Sequence, residues 1–304
     1  MKKTTIKDIA KAADVSIATV SYILNDVKTQ SISDETRVKV LKVAQQLKYV
    51  ANRSAQSLKI KKTGLMGILL FKDDVQSPGS ALKYAKTIYK LEELCSNLGY
   101  HVIFMQLDSV SPSYKVIMER NLDGVFLINA DREKFYAISN QFGFGIPVIV
   151  IDSYIEDSLF HKIMPNFEQS YAAAQTLLGH APEFLVMDAY NNAELRDVIK
   201  QQSGLEEDRI YVYENRDGMQ AFLSKFAGMP GIVINEFLAI EAWKTHQNLV
   251  ACCTSHCEAL LPDDMLKISY DLNDYTEVVN MMDNYINDAA YVKEEKFFLL
   301  TATS

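Results

Sequence analysis

The stretch TIKDIAKAADVSIATVSYILN, residues 5–25, decides the fold of the N-terminal part of the chain. A first apolar stripe with helical spacing consists of Ile6, Ile9, Ala10 and Ala13. A second consists of Val20, Ile23 and Leu24. Asp14 lies between them and tolerates the left-handed backbone of a tight turn, and Ser16 is a predicted N-cap of the second helix. Two short helices joined by such a turn predict a helix-turn-helix.

A third helix is predicted after a polar loop at residues 25–32. Ser33 is its expected N-cap, and acidic residues occupy its first turn. The stripe predicted to face inward consists of Val38, Leu41, Ala44 and Leu47. Three small helices around one apolar centre give an all-α bundle over residues 1–50.

The charge of the chain is divided unevenly along its length. The 304 residues carry a net charge of −8, but residues 1–62 hold 13 Lys/Arg and 5 Asp/Glu, a net of +8. The remaining residues carry −16. A basic segment of this size favours a polyanionic partner, since phosphate contacts supply most non-specific affinity for nucleic acid. The alternative is an ordinary solvated charged face.

Residues 4–62 resemble the DNA-binding region of the lactose-repressor family of bacterial transcriptional regulators. The match is carried by TIKDIA at 5–10, VSIATVSYILN at 15–25, SDETR at 33–37 and LKYVANRSAQSL at 47–58. The resemblance implies a DNA-binding head at 1–50, a hinge helix and linker at 51–62, and an effector-binding and dimerisation core at 63–304. Two departures are a longer loop between Asn25 and Ser33, and Ala51 where many members have proline.

The same resemblance implies which residues meet double-stranded operator DNA. Ile17, Ala18 and Tyr22 would choose bases in the major groove; Ile17 and Ala18 offer only apolar contacts, such as with a thymine methyl. Short polar side chains suited to phosphate contacts are Thr5, Ser16, Thr19, Ser21 and Asn25. For each residue the alternative is helix capping or a solvated surface.

Residues 52–59 resemble the hinge helix of the family, which orders on operator DNA and enters the minor groove. Leu58 would be the wedge between base pairs. Arg53 and Lys59 would lie near phosphates, with Asn52 and Ala55 at the groove. The alternative is an ordinary linker whose leucine packs on the body of the protein.

From Thr63 onward, strand patterns alternate with helical ones. The predicted strands are Leu65–Phe71, Tyr100–Gln106, Gly124–Ile128, Val148–Ile151, Phe184–Met187, Ile210–Tyr213, Gly231–Ile234, Leu249–Cys253, Lys267–Tyr270 and Phe297–Leu300. Alternation of this kind predicts parallel sheets wound on both faces, and ten strands fit two α/β subdomains better than one sheet. The resemblance implies a periplasmic-binding-protein-like core with a ligand cleft between two lobes.

The effector residues are less clearly marked than the DNA-binding ones. The candidates are Arg196, Glu236, Asp73 and Asn166. Ile199-Lys200 replaces a Gly-Phe pair that many members have, and Cys252-Cys253-Thr254 aligns with a Gly-Phe-Asp that often supplies a carboxylate to ligand hydroxyls. The effector class is therefore open, from a sugar or sugar derivative to a nucleobase or an unused cleft. A surface salt bridge is an equal alternative for Arg196.

Other chemistry has little support in the sequence. Cys252, Cys253, His256 and Cys257 are crowded, but adjacent residues of a strand point to opposite faces and no second cysteine pair completes a zinc site. No phosphate loop, nucleophile elbow or metalloprotease motif is present, so neither an enzyme nor a cofactor is expected. The absence of an export signal or a membrane-length apolar run indicates a cytoplasmic protein.

These observations together predict a transcriptional regulator that binds a pseudo-palindromic operator as a homodimer. A repressor is favoured over an activator. A small molecule in the cleft would modulate it. Two alternatives remain open: a regulator with an inert cleft that answers to a protein corepressor, and a solute-binding protein with the same body.

Overall fold

The computed structural model describes residues 4–24, 32–47, 62–108, 120–139, 146–157, 160–288 and 290–304, with residues 34, 38, 41 and 45 described by their backbone only. The chain divides into two compact units, residues 1–62 and residues 63–304. Each unit has its own hydrophobic core.

The first unit contains the three helices expected from its sequence: α1 (Ile6–Ala13), α2 (Ile17–Leu24) and α3 (Asp34–Gln46). Thr5 and Asp8 form a reciprocal capping box at the start of α1. Asp14 ends α1 in the left-handed region with φ 52°. The Ser16 hydroxyl accepts a hydrogen bond from the Thr19 amide at 3.0 Å, and Ser33 does the same for Thr36 at 3.3 Å. The predicted turn and both predicted serine caps are therefore confirmed.

The core of this unit is small and wholly aliphatic. Its buried members are Ile9, Ala10, Ala13, Val20, Ile23, Val40 and Ala44. The prediction that Leu47 faces inward is wrong, because its side chain is 37% exposed. Leu47 lies one residue beyond the end of α3 and past Ala44, the last buried member of the core, although its amide still donates to the Val43 carbonyl at 3.0 Å.

The second unit is built on two six-stranded sheets. Its strands are β1 (Leu65–Phe71), β2 (His101–Leu107), β3 (Gly124–Ile128), β4 (Val148–Ile151), β5 (His161–Pro165), β6 (Phe184–Met187), β7 (Ile210–Val212), β8 (Gly231–Ile234), β9 (Leu249–Cys252), β10 (Leu266–Tyr270), β11 (Phe297–Leu300) and β12 (Ala302–Thr303). The first sheet has the order β11-β5-β4-β3-β1-β2 and is entirely parallel. The second has the order β12-β10-β9-β8-β6-β7, and its one antiparallel pair is β10 with β12. Each sheet defines one lobe.

Helices cover both sheets on both faces, as parallel sheets require. They are α4 (Ala85–Asn97), α5 (Arg132–Ser139), α6 (Phe167–Leu178), α7 (Ala193–Ser203), α8 (Arg216–Lys225), α9 (Glu236–Trp243) and α10 (Tyr275–Asn287). The largest core combines one face of each sheet with residues of α4, α6, α7 and α10. Residues of α8 and α9 cover the other face of the second sheet, and residues of α5 cover that of the first. The prediction of two doubly wound subdomains is confirmed.

All ten predicted strands are present, with ends that differ by at most one residue, and two further strands were not predicted. Strand β5 reads HKIMP, whose histidine, lysine and proline are typical of a loop. The fold accommodates its polar side chains locally: His161 Nε2 lies 2.7 Å from the Tyr285 hydroxyl, and the Lys162 ammonium lies 5.0 Å from the centre of the Phe297 ring. The other missed strand, β12, has only two residues.

The crowded cysteines behave as the strand geometry predicts. Cys252 and Cys253 are both buried, and they belong to the cores on opposite faces of the second sheet. Nowhere in the described residues do three or more metal-ligating side chains form a cluster that could hold an ion. Within the same residues, the helices are too short or too polar to cross a bilayer.

Candidate nucleic-acid interface and interlobe cleft

The second helix of the first unit presents one exposed and one buried face. Val20 and Ile23 are buried against the other two helices. On the opposite side, Ile17 is 50% exposed and Tyr22 is 37% exposed, with Ala18 exposed between them. An exposed isoleucine at the first position of a helix contributes nothing to the core. This face is therefore available to a partner, at the end of the helix that enters a major groove in helix-turn-helix proteins.

The predicted phosphate contacts already have local partners. Thr5 Oγ1 donates to Asp8 Oδ2 at 2.7 Å, and the hydroxyls of Ser16 and Thr19 lie 2.8 Å apart. Ser21 is half-buried. A phosphate oxygen accepts hydrogen bonds, so Thr5 would have to release Asp8 before its hydroxyl could donate to a phosphate. Ser16 and Thr19 use one hydroxyl hydrogen between them and keep the other for a further acceptor. Phosphate binding by these residues remains a prediction. The other predicted DNA-binding residues lie outside the described part of the chain: Asn25, Asn52, Arg53, Ala55, Leu58 and Lys59.

In the second unit, polar residues converge where parallel strands of the two sheets end. Asp73, Asn129 and Asp152 follow β1, β3 and β4 of the first sheet. Asp188 and Asn235 follow β6 and β8 of the second sheet. The crevice at the carboxyl ends of parallel strands is the usual ligand site of open α/β sheets. We call this region the interlobe cleft.

Three of these residues adopt left-handed backbone conformations. Asn129 has φ 59°, Asp152 has φ 49° and Asn235 has φ 92°. Asn and Asp tolerate this region better than other non-glycine residues do. Each turns the chain sharply at the end of its strand, and all three side chains are buried.

The centre of the interlobe cleft is the ammonium group of Lys83. Its Nζ lies 3.0 Å from Asp188 Oδ2 and 3.5 Å from Asp73 Oδ1. The side chains of Lys83 and Asp188 are each only 1% exposed. The ammonium also lies 4.1 Å from the centre of the Tyr190 ring and 5.2 Å from that of Tyr84, both within cation–π range. We call Lys83 with Asp73, Asp152 and Asp188 the Lys83 cluster.

The three carboxyl groups of the Lys83 cluster respond differently to their surroundings. Burial raises the pKa of Asp152 to about 6, against the attraction of the Lys83 ammonium, and burial likewise raises the pKa of Asp73. Burial opposes ionisation of Asp188 too, but the adjacent Lys83 ammonium and a 2.9 Å hydrogen bond from Asn235 Nδ2 lower its pKa. Asp188 is therefore the carboxylate that most firmly holds the Lys83 charge.

Hydrogen bonds from two consecutive asparagines also join the lobes. Asn191 Nδ2 donates to the carbonyls of Lys72 at 2.8 Å and Asn129 at 3.2 Å. Its Oδ1 accepts from the Asp74 amide at 2.9 Å. Asn192 Oδ1 accepts from the Tyr154 amide at 3.1 Å. Because Asn191 and Asn192 follow β6 of the second lobe and their partners belong to the first, these bonds hold the lobes together across the cleft.

The predicted effector residues are only partly brought together. Asp73 belongs to the Lys83 cluster. Glu236 is fully buried at the start of α9, where its carboxylate accepts hydrogen bonds from the amides of Ser255 at 3.0 Å and Cys257 at 2.6 Å. Both oxygens of Glu236 are thereby used to hold the loop after β9. Its neighbour Asn235 is the residue that reaches the cleft.

Arg196 and Asn166 have roles in local structure. The Arg196 guanidinium donates to the carbonyls of Tyr190 and Asn191, so it supports the segment that carries the interlobe asparagines. Among the described residues it does not form the surface salt bridge that was its alternative role. Asn166 is the N-cap of α6, accepting from the Gln169 amide at 3.0 Å.

The residues that sequence reasoning missed share a recognisable position. Asp152, Asp188, Asn129 and Asn235 each come directly after a strand that the sequence predicted, so a search for polar residues at strand ends finds all four. Lys83 carries no such signal. It precedes α4 in a segment of no regular pattern, and only the fold brings it to Asp188, 105 positions further along the chain.

Comparison with known proteins bears first on the N-terminal unit. Residues 5–52 match the family model described as "Bacterial regulatory proteins, lacI family". The matched residues include α1, α2 and α3, with the exposed face of α2. Residues 5–52 therefore form a DNA-binding segment of the lacI type.

Curated proteins that are similar to this chain are named as transcriptional repressors. The HTH-type transcriptional repressor PurR of Photobacterium profundum is 29% identical over 184 residues, which are 59% of this chain and 53% of the relative. The ribose operon repressor of Haemophilus influenzae is 28% identical over 183 residues, 58% of this chain and 52% of the relative. The chain thus matches about half the length of these curated relatives.

Solved structures bear on the fold. The Lac repressor dimer bound to operator and the anti-inducer ONPF superposes with a TM-score of 0.72 at 16% identity, covering 100% of this chain and 98% of that one. A lacI-family regulator from Silicibacter pomeroyi gives a TM-score of 0.62 at 17% identity. At such identities the likeness supports the two-lobed architecture and leaves the ligand open.

Proposed function

We propose that this chain is a sequence-specific DNA-binding regulator of the lacI family, a repressor that acts in the cytoplasm rather than an enzyme. The observation that carries the proposal is the exposed face of α2, where Ile17, Ala18 and Tyr22 are free of the core that Val20 and Ile23 help to form. The family match over residues 5–52 and the names of the relatives support it.

The chemistry of this face determines what it reads. Ile17 and Ala18 have no hydrogen-bonding side-chain groups, so they recognise apolar features of the major groove, chiefly thymine methyl groups. Tyr22 adds one hydroxyl that can donate to a base or a phosphate. The preferred half-site is therefore rich in A·T pairs under the N-terminal end of α2.

The protein acts as a homodimer, so its operator is pseudo-palindromic. In the second unit, a pocket of about 290 Å³ lies beside α4 and β2 and is lined by Leu70, Tyr84, Ile88 and Phe104, among others. Phe104, on the edge strand β2, is 48% exposed. An apolar pocket beside an exposed aromatic ring on an unpaired sheet edge is a surface that a second copy can cover.

Selection of bound sequences from random duplexes tests DNA recognition. At roughly physiological salt, where non-specific binding is weak, we expect enrichment of two inverted half-sites. The double substitution Ile17→Gln with Ala18→Gln should change the enriched sequence and leave non-specific affinity nearly unchanged. Lys7→Gln on α1 is the comparison variant: it removes a positive charge, so it should lower the affinity for all duplexes and leave the enriched sequence unchanged. An unchanged preference in the α2 variant would show that this face does not choose bases.

Oligomeric state tests the dimer surface separately. Phe104→Glu should shift the protein towards monomer in sedimentation, because a charge would be buried in the contact. Leu299→Glu is the matched control: Leu299 is 45% exposed on β11, the opposite edge strand of the same sheet. Equal effects of the two substitutions would place the dimer contact elsewhere.

Modulation by a small molecule completes the proposal. A molecule in the interlobe cleft changes DNA binding only if it has unequal affinity for two arrangements of the lobes. The Lys83 cluster favours an alternative mode of regulation. In this alternative the chain itself closes the cleft, and another partner, such as a protein corepressor, controls DNA binding.

A further inference from the structure

We propose that Lys83 is a built-in ligand of the interlobe cleft: its side chain occupies the position of an external effector and holds the two lobes closed. The inference deepens the proposed function, on which its regulatory meaning rests. According to this inference the cleft contains a binding site for a primary ammonium group, and the Lys83 side chain occupies that site.

The surroundings of the ammonium are those of a binding site for a cation. Carboxylates lie 3.0 and 3.5 Å away, and two aromatic rings lie within 5.2 Å. Carboxylates and aromatic faces together are the groups that proteins use to bind ammonium ligands. The electrostatic attraction of Asp188, Asp73 and Asp152 outweighs burial and raises the pKa of Lys83, so the bound group carries its full charge.

The groups around Lys83 come from both lobes. Lys83, Asp73 and Asp152 belong to the first lobe, whereas Asp188 and Tyr190 follow β6 in the second. The closest contact of the ammonium, with Asp188, therefore crosses the cleft. A small effector that bridges two lobes contacts both of them at once. Here the side chain of Lys83 contacts carboxylates of both lobes.

The site fits an amine and not a sugar. A sugar needs fixed acceptors and donors that its hydroxyl groups can reach, whereas the Asp73 and Asp188 carboxylates are directed at the ammonium. The hydrogen-bonding groups of Asn191 are used between the lobes, and those of Glu236 are used within the second lobe. Lys83 thus stabilises a closed arrangement without any added molecule.

Replacement of the side chain by a free amine tests the proposal. Lys83→Ala removes the Cγ to Nζ atoms, and n-propylammonium has the same chain length and charge. In the full-length variant, titration calorimetry should detect binding of one propylammonium per chain. At about ten times its dissociation constant the amine should raise Tm by about 2–4 °C. The unaltered protein, whose site is filled, should show neither effect.

Two controls separate site binding from general effects of the amine. n-Propanol has a similar size without the charge and should not stabilise Lys83→Ala. Lys200→Ala removes the ammonium of a more exposed ion pair, with Glu207 at 2.7 Å, and should gain no amine binding. Equal stabilisation of all variants, or no binding to a folded Lys83→Ala, would overturn the proposal.

A measurement on the unaltered protein applies if Lys83→Ala fails to fold. Amine acetylation followed by mass spectrometry reports how often the Lys83 cluster opens. We expect Lys83 to react about 100-fold more slowly than Lys200, because reaction requires the lobes to separate. Reaction at the rate of an exposed lysine would show that the ammonium is not held in the cleft. Neither readout uses DNA, so failure here leaves the operator proposal standing, and failure of operator selection leaves this site unaffected.

Discussion

The exposed face of α2 and the Lys83 cluster are two functional regions that differ in how far apart their residues lie along the chain. Ile17, Ala18 and Tyr22 fall within six positions, and a single helix fixes which way they face. The Lys83 cluster joins residues 73, 83, 152 and 188 from three separate segments: the connection between β1 and α4, and the residues after β4 and β6. The first region depends on helical periodicity, and the second depends on the packing of two lobes.

Substitutions in the two regions should therefore change different properties of the protein. Substitution on the α2 face alters recognition and leaves the fold intact, because the side chains there have little burial to lose. Substitution in the Lys83 cluster alters stability first, because a buried charge without its partner is costly. Substitutions in both regions, compared by urea unfolding, measure this contrast in order of decreasing expected effect.

The largest effect is expected from Asp188→Ala. The substitution leaves the buried Lys83 ammonium without its closest partner and should lower the free energy of unfolding of the second unit by about 3–5 kcal/mol. Glu207→Ala, which breaks the more exposed pair with Lys200, is the control and should cost about 0–1 kcal/mol. Urea unfolding compares the two, and similar losses would mean that the Lys83 cluster behaves like a surface pair.

Gly79→Ala should also destabilise the second unit, through a steric clash. A Cβ at Gly79 would lie 2.2 Å from the Phe237 ring of the second lobe, so the cleft must shift to accept it. Gly64 has the same φ of 71° but nothing within 4 Å of its Cβ position. Both substitutions place an alanine in the left-handed region, which destabilises the fold in each case. Gly79→Ala should therefore lower the free energy of unfolding by about 1–3 kcal/mol more than Gly64→Ala does. Equal midpoints in urea would refute a tight closure at this point.

The acidic pH dependence should change when Asp152 is replaced by asparagine. Because burial raises the pKa of Asp152 from 3.8 to about 6, the folded state binds its proton more tightly, and this group adds stability as pH falls from 6 to 4. His161 acts in the opposite direction: burial lowers its pKa to about 4, so its contribution is lost as pH falls from 6.5 to 4.

Asp152→Asn removes one of the buried carboxyl groups that oppose the His161 effect, while Asp73 remains. Stability should then fall more steeply between pH 6.5 and 4, by about 2 kcal/mol relative to the unaltered protein across that range. Urea midpoints at a series of pH values measure the slope, and His161→Gln should change it in the other direction. Parallel curves for Asp152→Asn and the unaltered protein would show that the Asp152 carboxyl does not titrate in this window.

The smallest effect is expected in the first unit. Thr5→Ala removes the capping box with Asp8 and should lower the stability of the three-helix unit by about 1 kcal/mol. Thr5→Ser keeps the hydroxyl and should recover most of that loss. Operator binding separates the two roles of Thr5: if the alanine variant loses DNA affinity beyond its loss of folded protein, the hydroxyl also contacts a phosphate.

Strand positions in the second unit show what hydrophobic pattern can establish. Runs such as VIVI at 148–151 and GIVI at 231–234 fixed their strands to the residue, since few structures other than a buried parallel strand fit so short an apolar segment between turns. The run HKIMP at 161–165 failed the same test. Its polar side chains find partners in α10, in the first sheet and at the Asp157 carbonyl, and the alternation of apolar and polar residues does not predict these contacts.

The effector residues show the same limit at the level of function. The resemblance predicts Glu236 as an effector residue, because Asn235-Glu236 keeps the carboxylate of an Asn-Asp pair that the family has at the end of a strand. In the structure Asn235 reaches the cleft, whereas Glu236 binds the loop after β9. A sharp turn with φ 92° at Asn235 makes that difference, and sequence spacing alone does not reveal it.

From the sequence alone follow the three helices of the first unit with the caps at Ser16 and Ser33, the exposed face of α2, ten of the twelve strands in the described residues, and the resemblance of the first unit to the lacI family. These features depend on neighbours within a few positions or on periodic burial, and both can be recognised in the order of residues along the chain. Only the tertiary structure decided that Lys83 lies between the lobes, that Asp188 is its main partner and that Glu236 supports a loop. These contacts join residues that are 19 to 105 positions apart, so the packing of the two sheets and their loops determines which groups meet.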